Sequence, residues 1–183
     1  DSILARQIQQ LTIFFALLIP DMTNEEEQLL DEALIKTYKD FGINYKNRSL
    51  YIESGEKSKQ LKKMPILGDL HKNLLSNKRT ERLAIILSRF VTGSAQSFNR
   101  QTNVDLSNKY IVIDLSELKG KMLPVGMMIA LDYVWDNIKM DRTKKKAIFI
   151  DEIWQLVGAS SNSLAADFCL TIFKTIRGFG GAA

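Results

Sequence analysis

The chain has 183 residues and a formal net charge of +4; 45% of its residues are hydrophobic and 25% are charged. This balance excludes a disordered polar segment and supplies enough apolar residues for a core. The mild positive charge tolerates an anionic partner but does not require nucleic acid. The single cysteine excludes an internal disulfide and a multi-cysteine metal site. The longest apolar run, 13–19, is far short of the roughly 20 residues that a membrane span needs.

The first hundred or so residues are predicted to be mostly helical. Apolar residues at spacings of three and four predict a helix over 3–19. Thr23, followed three residues later by Glu26, forms the sequence pattern of a capping box and predicts the start of a second helix. Further amphipathic helices are expected after Pro65 and over 79–91.

A less regular, basic segment interrupts these helices. The stretch "SLYIES" predicts a short strand, and the residues after it predict a loop. We interpret the charge run of this loop as a solvated surface, with contact to DNA or phosphate as the alternative. Its lysines are Lys57, Lys59, Lys62 and Lys63.

The second part of the chain has the pattern of an α/β protein. "KYIVIDL" at 109–115 and "AIFID" at 147–151 are short apolar runs rich in β-branched residues, and both predict strands buried on both faces. An apolar helix after Pro124 separates them, and a glycine-ended helix with apolar positions over 164–176 follows. The terminal "AA" is a candidate third strand. Strand, helix, strand, helix predicts a parallel sheet with right-handed crossovers.

Both predicted strands end on an aspartate, at the edge where open parallel sheets bind ligands. Asp151 is followed by Glu152, and apolar residues followed by Asp-Glu are the pattern of a Walker B segment. In that role Asp151 holds magnesium, usually through water, and Glu152 orients or deprotonates the water that attacks the γ-phosphate. The alternative is the polar end of a buried strand. Asp114 is expected to form only a turn or a cap.

The phosphate-binding half of such a site is missing from the 183 residues, because no segment has the form G-x-x-x-x-G-K-[ST]. Without that loop there is no backbone cradle for phosphates. We therefore expect that the chain alone is not a complete P-loop ATPase. Its abrupt start at Asp1 leads us to expect a piece of a longer protein.

Four segments occur in a characteristic order: "FVTGSAQSFNRQTNVDLSNKYIVIDLSEL", "LPVGMMIALDYVWDNIK", "KAIFIDEIWQLV" and "FKTIRGFGG". Together they resemble the ATPases of type IV secretion and conjugative transfer systems, the VirB/TraC-like class. They resemble in particular the versions carried on conjugative transposons of Gram-positive bacteria. The earlier "LTIFFALLI", "TNEEEQLLDEALIKTY" and "MPILGDL" resemble the helical insertion of this family.

The resemblance implies an α/β fold with a helical insertion domain at 1–105 and a partial RecA-like P-loop NTPase core at 106–183. The core would contain a small parallel sheet and the Walker B segment. The Walker A loop would precede the chain, and a glutamine-bearing strand that senses the γ-phosphate would follow it. The implied cofactors are ATP and Mg²⁺, with Asp151 as the magnesium acid and Glu152 as the catalytic glutamate.

Arg177 matches the first position of a family motif written R-K-Y-G-G. This chain has Gly178 in place of the lysine, which weakens a phosphate-binding role. The resemblance implies a catalytic Arg177 that acts in trans on the nucleotide of a neighbouring subunit, as arginine fingers do. The alternative is an arginine favoured by the helix dipole at a helix C-terminus. Trp154 is expected to pack under the end of the strand.

The implied function is that of a motor whose ATP hydrolysis drives DNA or protein transfer, or channel assembly. The implied partners are the other subunits of a homo-oligomeric ring and membrane-associated components of the secretion channel, with DNA contact as a further possibility. The implied location is cytoplasmic and peripheral, at the inner face of the cell membrane. Two alternatives stay open: a coupling-protein or DNA-translocase ATPase, and a non-enzymatic helical interaction module.

Overall fold

The chain forms two compact units in the computed structural model, which describes residues 2–52, 60–105, 108–120, 122–158 and 163–183. Unit 1 comprises Asp1–Thr12 and Met22–Asn103, and unit 2 comprises Ile13–Asp21 and Val104–Ala183. The predicted division into an insertion domain at 1–105 and a core at 106–183 stays a prediction, and the observed units place Ile13–Asp21 with the second part of the chain.

Helices dominate the first part of the chain, as the apolar spacing predicts. The α-helices are α1 (Ile3–Leu18), α2 (Asn24–Asp40), α3 (Leu67–Leu75) and α4 (Glu81–Val91). Short 3-10 turns cover Asn47–Leu50, Lys78–Thr80 and Gln96–Phe98. The predicted strand in "SLYIES" is confirmed as β1 (Tyr51–Ile52), which pairs antiparallel with β2 (Gln60–Leu61).

The start of α2 is fixed by the capping box that the sequence predicts. The Thr23 N–H donates to Glu26 Oε2 at 3.0 Å, and the Glu26 N–H donates to the Thr23 hydroxyl oxygen at 3.2 Å. These two bonds satisfy donors that a helix end otherwise leaves unpaired. Arg82 of α4 pairs with the same carboxylate at 2.8 Å, which ties this end of α2 to α4.

The core of unit 1 lies where α3 packs against α4 and α2. Leu74, Leu83, Leu87 and Phe90 are at most 2% exposed. Each such side chain stabilises the fold by about 1.5–3 kcal/mol through its removal from water. The ring of Phe98 meets Phe90 edge to face, with centroids 5.9 Å apart.

Unit 2 combines helices with a very small parallel sheet. Its later elements are α5 (Met122–Met140), β3 (Lys146–Ala147), α6 (Trp154–Gly158), α7 (Ser163–Thr175), a 3-10 turn (Ile176–Phe179) and β4 (Gly181–Ala182). Strands β3 and β4 pair in parallel, with Lys146 opposite Gly181 and Ala147 opposite Ala182. The ladder continues through the Ile148 N–H, which donates to the Ala182 carbonyl at 2.8 Å. The candidate third strand at the end of the sequence is thereby confirmed.

The predicted strand over 109–115 is wrong. The segment has no regular secondary structure, and Tyr110 and Val112 are 85% and 72% exposed. A strand needs a hydrogen-bonded neighbour to complete its backbone bonds. Within the described ranges no strand pairs with this segment, so its backbone lacks the neighbour that a buried strand requires.

The predicted strand over 147–151 is also corrected, in length and burial. Regular pairing covers only Lys146–Ala147, and Phe149 is 94% exposed. The predicted parallel pairing of this strand with 109–115 is replaced by the pairing of β3 with β4.

The core of unit 2 is formed by the helices. Val125, Leu156, Ile172 and Ile176 are at most 2% exposed, and Cys169, at 1%, is a small core residue. Burial raises the pKa of the Cys169 thiol above its ordinary value. Among the described residues, no helix has the length and apolar character needed to cross a membrane.

Candidate functional site

Asp151 lies just past the carboxyl end of β3, beside an open depression of about 400 Å³. The depression is bordered by 148–151 from the β3 side, by Phe173 of α7 and by Ala183, which follows β4. Both parallel strands therefore run toward it, which is where ligands bind in open parallel sheets. Among the described residues that line it, Asp151 has a charged side chain and the others are apolar.

The backbone of Glu152 adopts a left-handed conformation, with φ at +56°. Such an angle is uncommon for a residue with a side chain, since the Cβ approaches the following carbonyl oxygen. Two hydrogen bonds hold the turn: the Glu152 N–H donates to Asp151 Oδ1 at 2.9 Å, and the Gln155 N–H donates to the Glu152 carbonyl at 2.8 Å. The conformation redirects the chain from β3 into α6.

The side chain of Gln155 reaches back to the acidic pair. Its Nε2 donates to Glu152 Oε2 at 3.3 Å. The sequence interpretation missed this contact and had no signal for it, because Glu152 lies before α6 and the contact depends on its left-handed turn. Leu156, the next residue, is completely buried and anchors α6.

The acidic pair has the chemistry that a magnesium ion requires. Asp151 and Glu152 are both exposed, and carboxylate oxygens are hard ligands that this ion prefers. The described residues contain no group of three or more side chains that could hold a metal by themselves. Magnesium is commonly held by one or two carboxylates, with substrate phosphates and waters as the other ligands. Asp151 in an open depression fits that arrangement.

Arg177 is not among the residues that line the depression. It is exposed and belongs to the 3-10 turn after α7, and its carbonyl accepts the Gly180 N–H at 3.1 Å. The turn is held by Phe179, whose ring meets Trp135 edge to face at 5.3 Å. The guanidinium of Arg142 lies over the ring of Phe179, with its Cζ 4.4 Å from the ring centroid.

Asp114 forms a turn, as the sequence predicts for this rival acid. The Ser116 N–H donates to Asp114 Oδ1 at 2.9 Å, and this bond holds the pKa of the Asp114 carboxyl below its ordinary value. Trp154 is different from the expectation: it is 65% exposed and does not serve as a packing residue under the strand end. The first turn of α6 carries it outward, while Leu156 enters the core.

The basic loop is only partly described. Lys57 and Lys59 lie outside the described residues. Lys62 donates through Nζ to the Gly42 carbonyl at 2.8 Å, so this lysine closes the C-terminal end of α2. Lys63 is exposed.

Comparison with known proteins identifies the family and the fold. Residues 70–183 match the family described as the TraG P-loop domain. The structure of VirB4 of Thermoanaerobacter pseudethanolicus superposes with a TM-score of 0.82 at 25% sequence identity, over 100% of this chain and 68% of that chain. No curated protein matches the chain.

The fold is that of the P-loop NTPases, mostly helical with a small parallel sheet whose carboxyl ends face an acidic site. The chain belongs to the TraG P-loop domain family, whose members are ATPases of conjugative transfer and type IV secretion.

Proposed function

We propose that Asp151 and Glu152 form the magnesium-binding and water-activating half of an ATP hydrolysis site. The observation that carries the proposal is the place of Asp151, past the carboxyl end of β3 and on the border of an open depression. Family membership supports nucleotide as the ligand. The phosphate-cradling half comes from a Gly-rich loop outside these 183 residues.

In this proposal the two carboxylates have separate roles. Asp151 holds a magnesium ion, which when bound supplies positive charge to the nucleotide phosphates. Glu152 orients the attacking water and accepts its proton. The hydrogen bond from the Glu152 N–H to Asp151 Oδ1 orients the Asp151 carboxylate relative to the backbone of Glu152.

The assembly around the site is also part of the proposal. The segment at 106–183 belongs to a RecA-like core with a Walker B strand, and 1–105 forms a helical insertion domain, in a protein of the conjugative-transposon type. The intact protein forms a homo-oligomeric ring at the cytoplasmic face of the membrane, contacts components of the secretion channel, and couples hydrolysis to transfer of DNA or protein. Arg177 is proposed to reach the nucleotide of the neighbouring subunit, which agrees with its exposure and its place outside the depression.

The decisive experiment is the substitution Glu152→Gln in the intact protein. We expect kcat to fall by about 10²–10⁴-fold, because the amide cannot accept the proton of the water. ATP binding should persist, since the magnesium acid and the phosphate loop are unchanged. The matched control is Glu117→Gln, which removes an exposed carboxylate of unit 2 outside the depression. Normal steady-state turnover by Glu152→Gln would overturn the proposal.

A second expectation concerns the 183-residue chain by itself. It should show no ATPase activity above buffer, because it has no G-x-x-x-x-G-K-[ST] loop to bind the phosphates. The measurement is steady-state phosphate release by the purified chain at saturating ATP and Mg²⁺. Release that is also abolished by Glu152→Gln would mean that the chain holds phosphates by another route.

The alternative of a DNA translocase is tested on the same protein. Strong binding to duplex DNA that weakens steeply with salt indicates a pump that contacts the phosphate backbone. Weak, salt-insensitive binding favours a secretion motor whose cargo is passed on by other components.

A further inference from the structure

We propose that Gln155 is a positioning residue for Glu152: its amide selects the orientation in which the carboxylate presents one oxygen to the attacking water. This inference rests on the proposed function of Glu152. Gln155 does not itself touch the nucleotide in this proposal, so it acts only through the carboxylate that it holds.

First, the backbone of Glu152 is already fixed. Its N–H is bonded to Asp151 Oδ1, and its carbonyl accepts the N–H of Gln155 at 2.8 Å. The left-handed φ of +56° leaves few neighbouring conformations for a residue with a Cβ. What remains adjustable is the side chain of Glu152, which is exposed and long.

Second, a contact with Gln155 restricts the side chain of Glu152. Gln155 Nε2 donates to Glu152 Oε2 at 3.3 Å. An ionised carboxylate only accepts hydrogen bonds, so the amide must present its nitrogen rather than its oxygen. With Oε2 engaged, Oε1 is the oxygen that is positioned to accept from a water. Backbone and side chain of Gln155 thus hold the same residue at two points.

Third, the helix that carries Gln155 is held in place by its neighbours. Gln155 lies in α6, and α6 contacts both α5 and α7. Leu156, the neighbour of Gln155, is completely buried. A short helix anchored in this way keeps the Gln155 side chain at a constant distance from the end of β3. Small displacements of a catalytic group are costly, so a fixed support has a functional consequence.

The test uses the intact protein with Gln155→Leu and Gln155→Glu. Leu keeps the approximate size but removes the donor, and Glu places a second negative charge against Glu152. We expect kcat to fall by about 10–100-fold for Leu and further for Glu, with KM for ATP, nucleotide binding and the melting temperature unchanged. Gln155→Lys restores a donor and is expected to recover most of the loss.

A matched control exists on α2. There Gln28 Nε2 donates to Glu32 Oε1 at 3.1 Å, the same chemical pair at exposed positions of a helix of unit 1. Gln28→Leu is expected to leave kcat and KM unchanged. If this control lowers kcat as much as Gln155→Leu, the effect of Gln155 is not specific to the site and the inference is wrong.

Further outcomes separate the inference from the proposed function. In the Glu152→Gln background, Gln155→Leu should add no loss, because a positioning residue has no effect once its target is gone. Normal kcat in both Gln155 variants, together with loss of turnover in Glu152→Gln, would reject the role of Gln155 alone. Equal effects on kcat, KM and melting temperature would show a structural role and reject it too. Normal turnover in Glu152→Gln would reject the proposed function itself.

Discussion

The helices of unit 1 and the apolar runs of unit 2 differ in how far their apolar residues are exposed. In unit 1, Leu74 and Phe90 are at most 1% exposed. In unit 2, Tyr110 and Phe149 are 85% and 94% exposed, although each lies in a run of apolar residues that the sequence predicts to be buried. The difference is one of pairing rather than of hydrophobicity.

A helix completes its backbone hydrogen bonds within itself, so an amphipathic segment needs only one apolar surface to pack against. A strand completes them only with a neighbour, and its side chains are covered only when the sheet around it is covered. β3 has such a neighbour in β4, over two residue pairs. The segment 109–115 has none among the described residues and remains irregular.

The largest expected effect comes from truncating one phenylalanine in each region. Phe90→Ala should lower the free energy of unfolding by about 3–5 kcal/mol, because Phe90 is 0% exposed and its removal leaves a cavity. Phe149→Ala should change it by no more than about 0.5 kcal/mol, since the ring is 94% exposed. Urea unfolding of the two variants beside the parent chain measures both values.

An equal loss of unfolding free energy in the two variants would show that the two regions do not differ in burial. It would mean that Phe149 is covered in solution, and that the apolar run of β3 is buried as the sequence predicts. Phe149→Leu then distinguishes general hydrophobic burial from a ring-specific contact, because leucine keeps most of the apolar area.

The same distinction explains how much of the fold could be predicted. Thr23 and Glu26 predict the start of α2 correctly, because the capping box is a contact between residues three apart. The strand at 109–115 could not be judged from its own residues, since its formation depends on a partner elsewhere. The short "AA" at the end of the chain was a weaker signal, yet it pairs with β3 through Gly181–Ala182.

The second effect concerns the only ladder that unit 2 shows within the described ranges. Gly180 has φ of +76°, and a Cβ built there would lie 2.9 Å from the carbonyl oxygens of Arg142 and Lys144. The left-handed conformation alone costs a residue with a side chain about 1–2 kcal/mol. Gly180→Ala should therefore lower the free energy of unfolding by more than this amount. Faster hydrogen exchange is expected at the Lys146 and Ile148 amides, which donate to the Gly180 and Ala182 carbonyls.

Gly120→Ala is the control for this prediction. Gly120 also has positive φ, +56°, but no described atom lies within 4 Å of its added Cβ. It should carry the conformational cost without faster exchange at Lys146 and Ile148. If both variants expose these amides equally, the close approach at Gly180 does not hold the sheet together.

The candidate site follows the same division between local and distant information. The Asp151-Glu152 pair after an apolar run could be recognised from the sequence, because the motif is contiguous. The left-handed turn at Glu152 could not be predicted, since glutamate has no preference for positive φ. The contact of Gln155 depends on that turn, so it became visible only with the geometry of α6.

The smallest expected effect is a pH dependence of stability that arises from Glu26 in the capping box of α2. The Thr23 backbone N–H, and after it the Arg82 guanidinium, hold the pKa of the Glu26 carboxyl below its ordinary value of 4.5. A lowered pKa in the folded chain means that the carboxylate form is favoured by folding. Its contribution to stability is fully present above the ordinary pKa and is lost as the pH falls through the lowered one.

Glu26→Gln should thus lower the free energy of unfolding by less than about 1 kcal/mol near neutral pH. In acid below the lowered pKa it should have no effect, apart from the constant effect of the amide. Urea unfolding at a series of pH values, from about pH 7 downward until the difference no longer changes, measures the effect. Glu27→Gln removes a charge from the same helical turn and leaves the contacts of Glu26 with Thr23 and Arg82 in place, so it should show a smaller pH dependence. If the two variants respond to pH alike, the capping box adds nothing beyond the charge of the first turn, and the start of α2 depends on tertiary packing as the strands of unit 2 do.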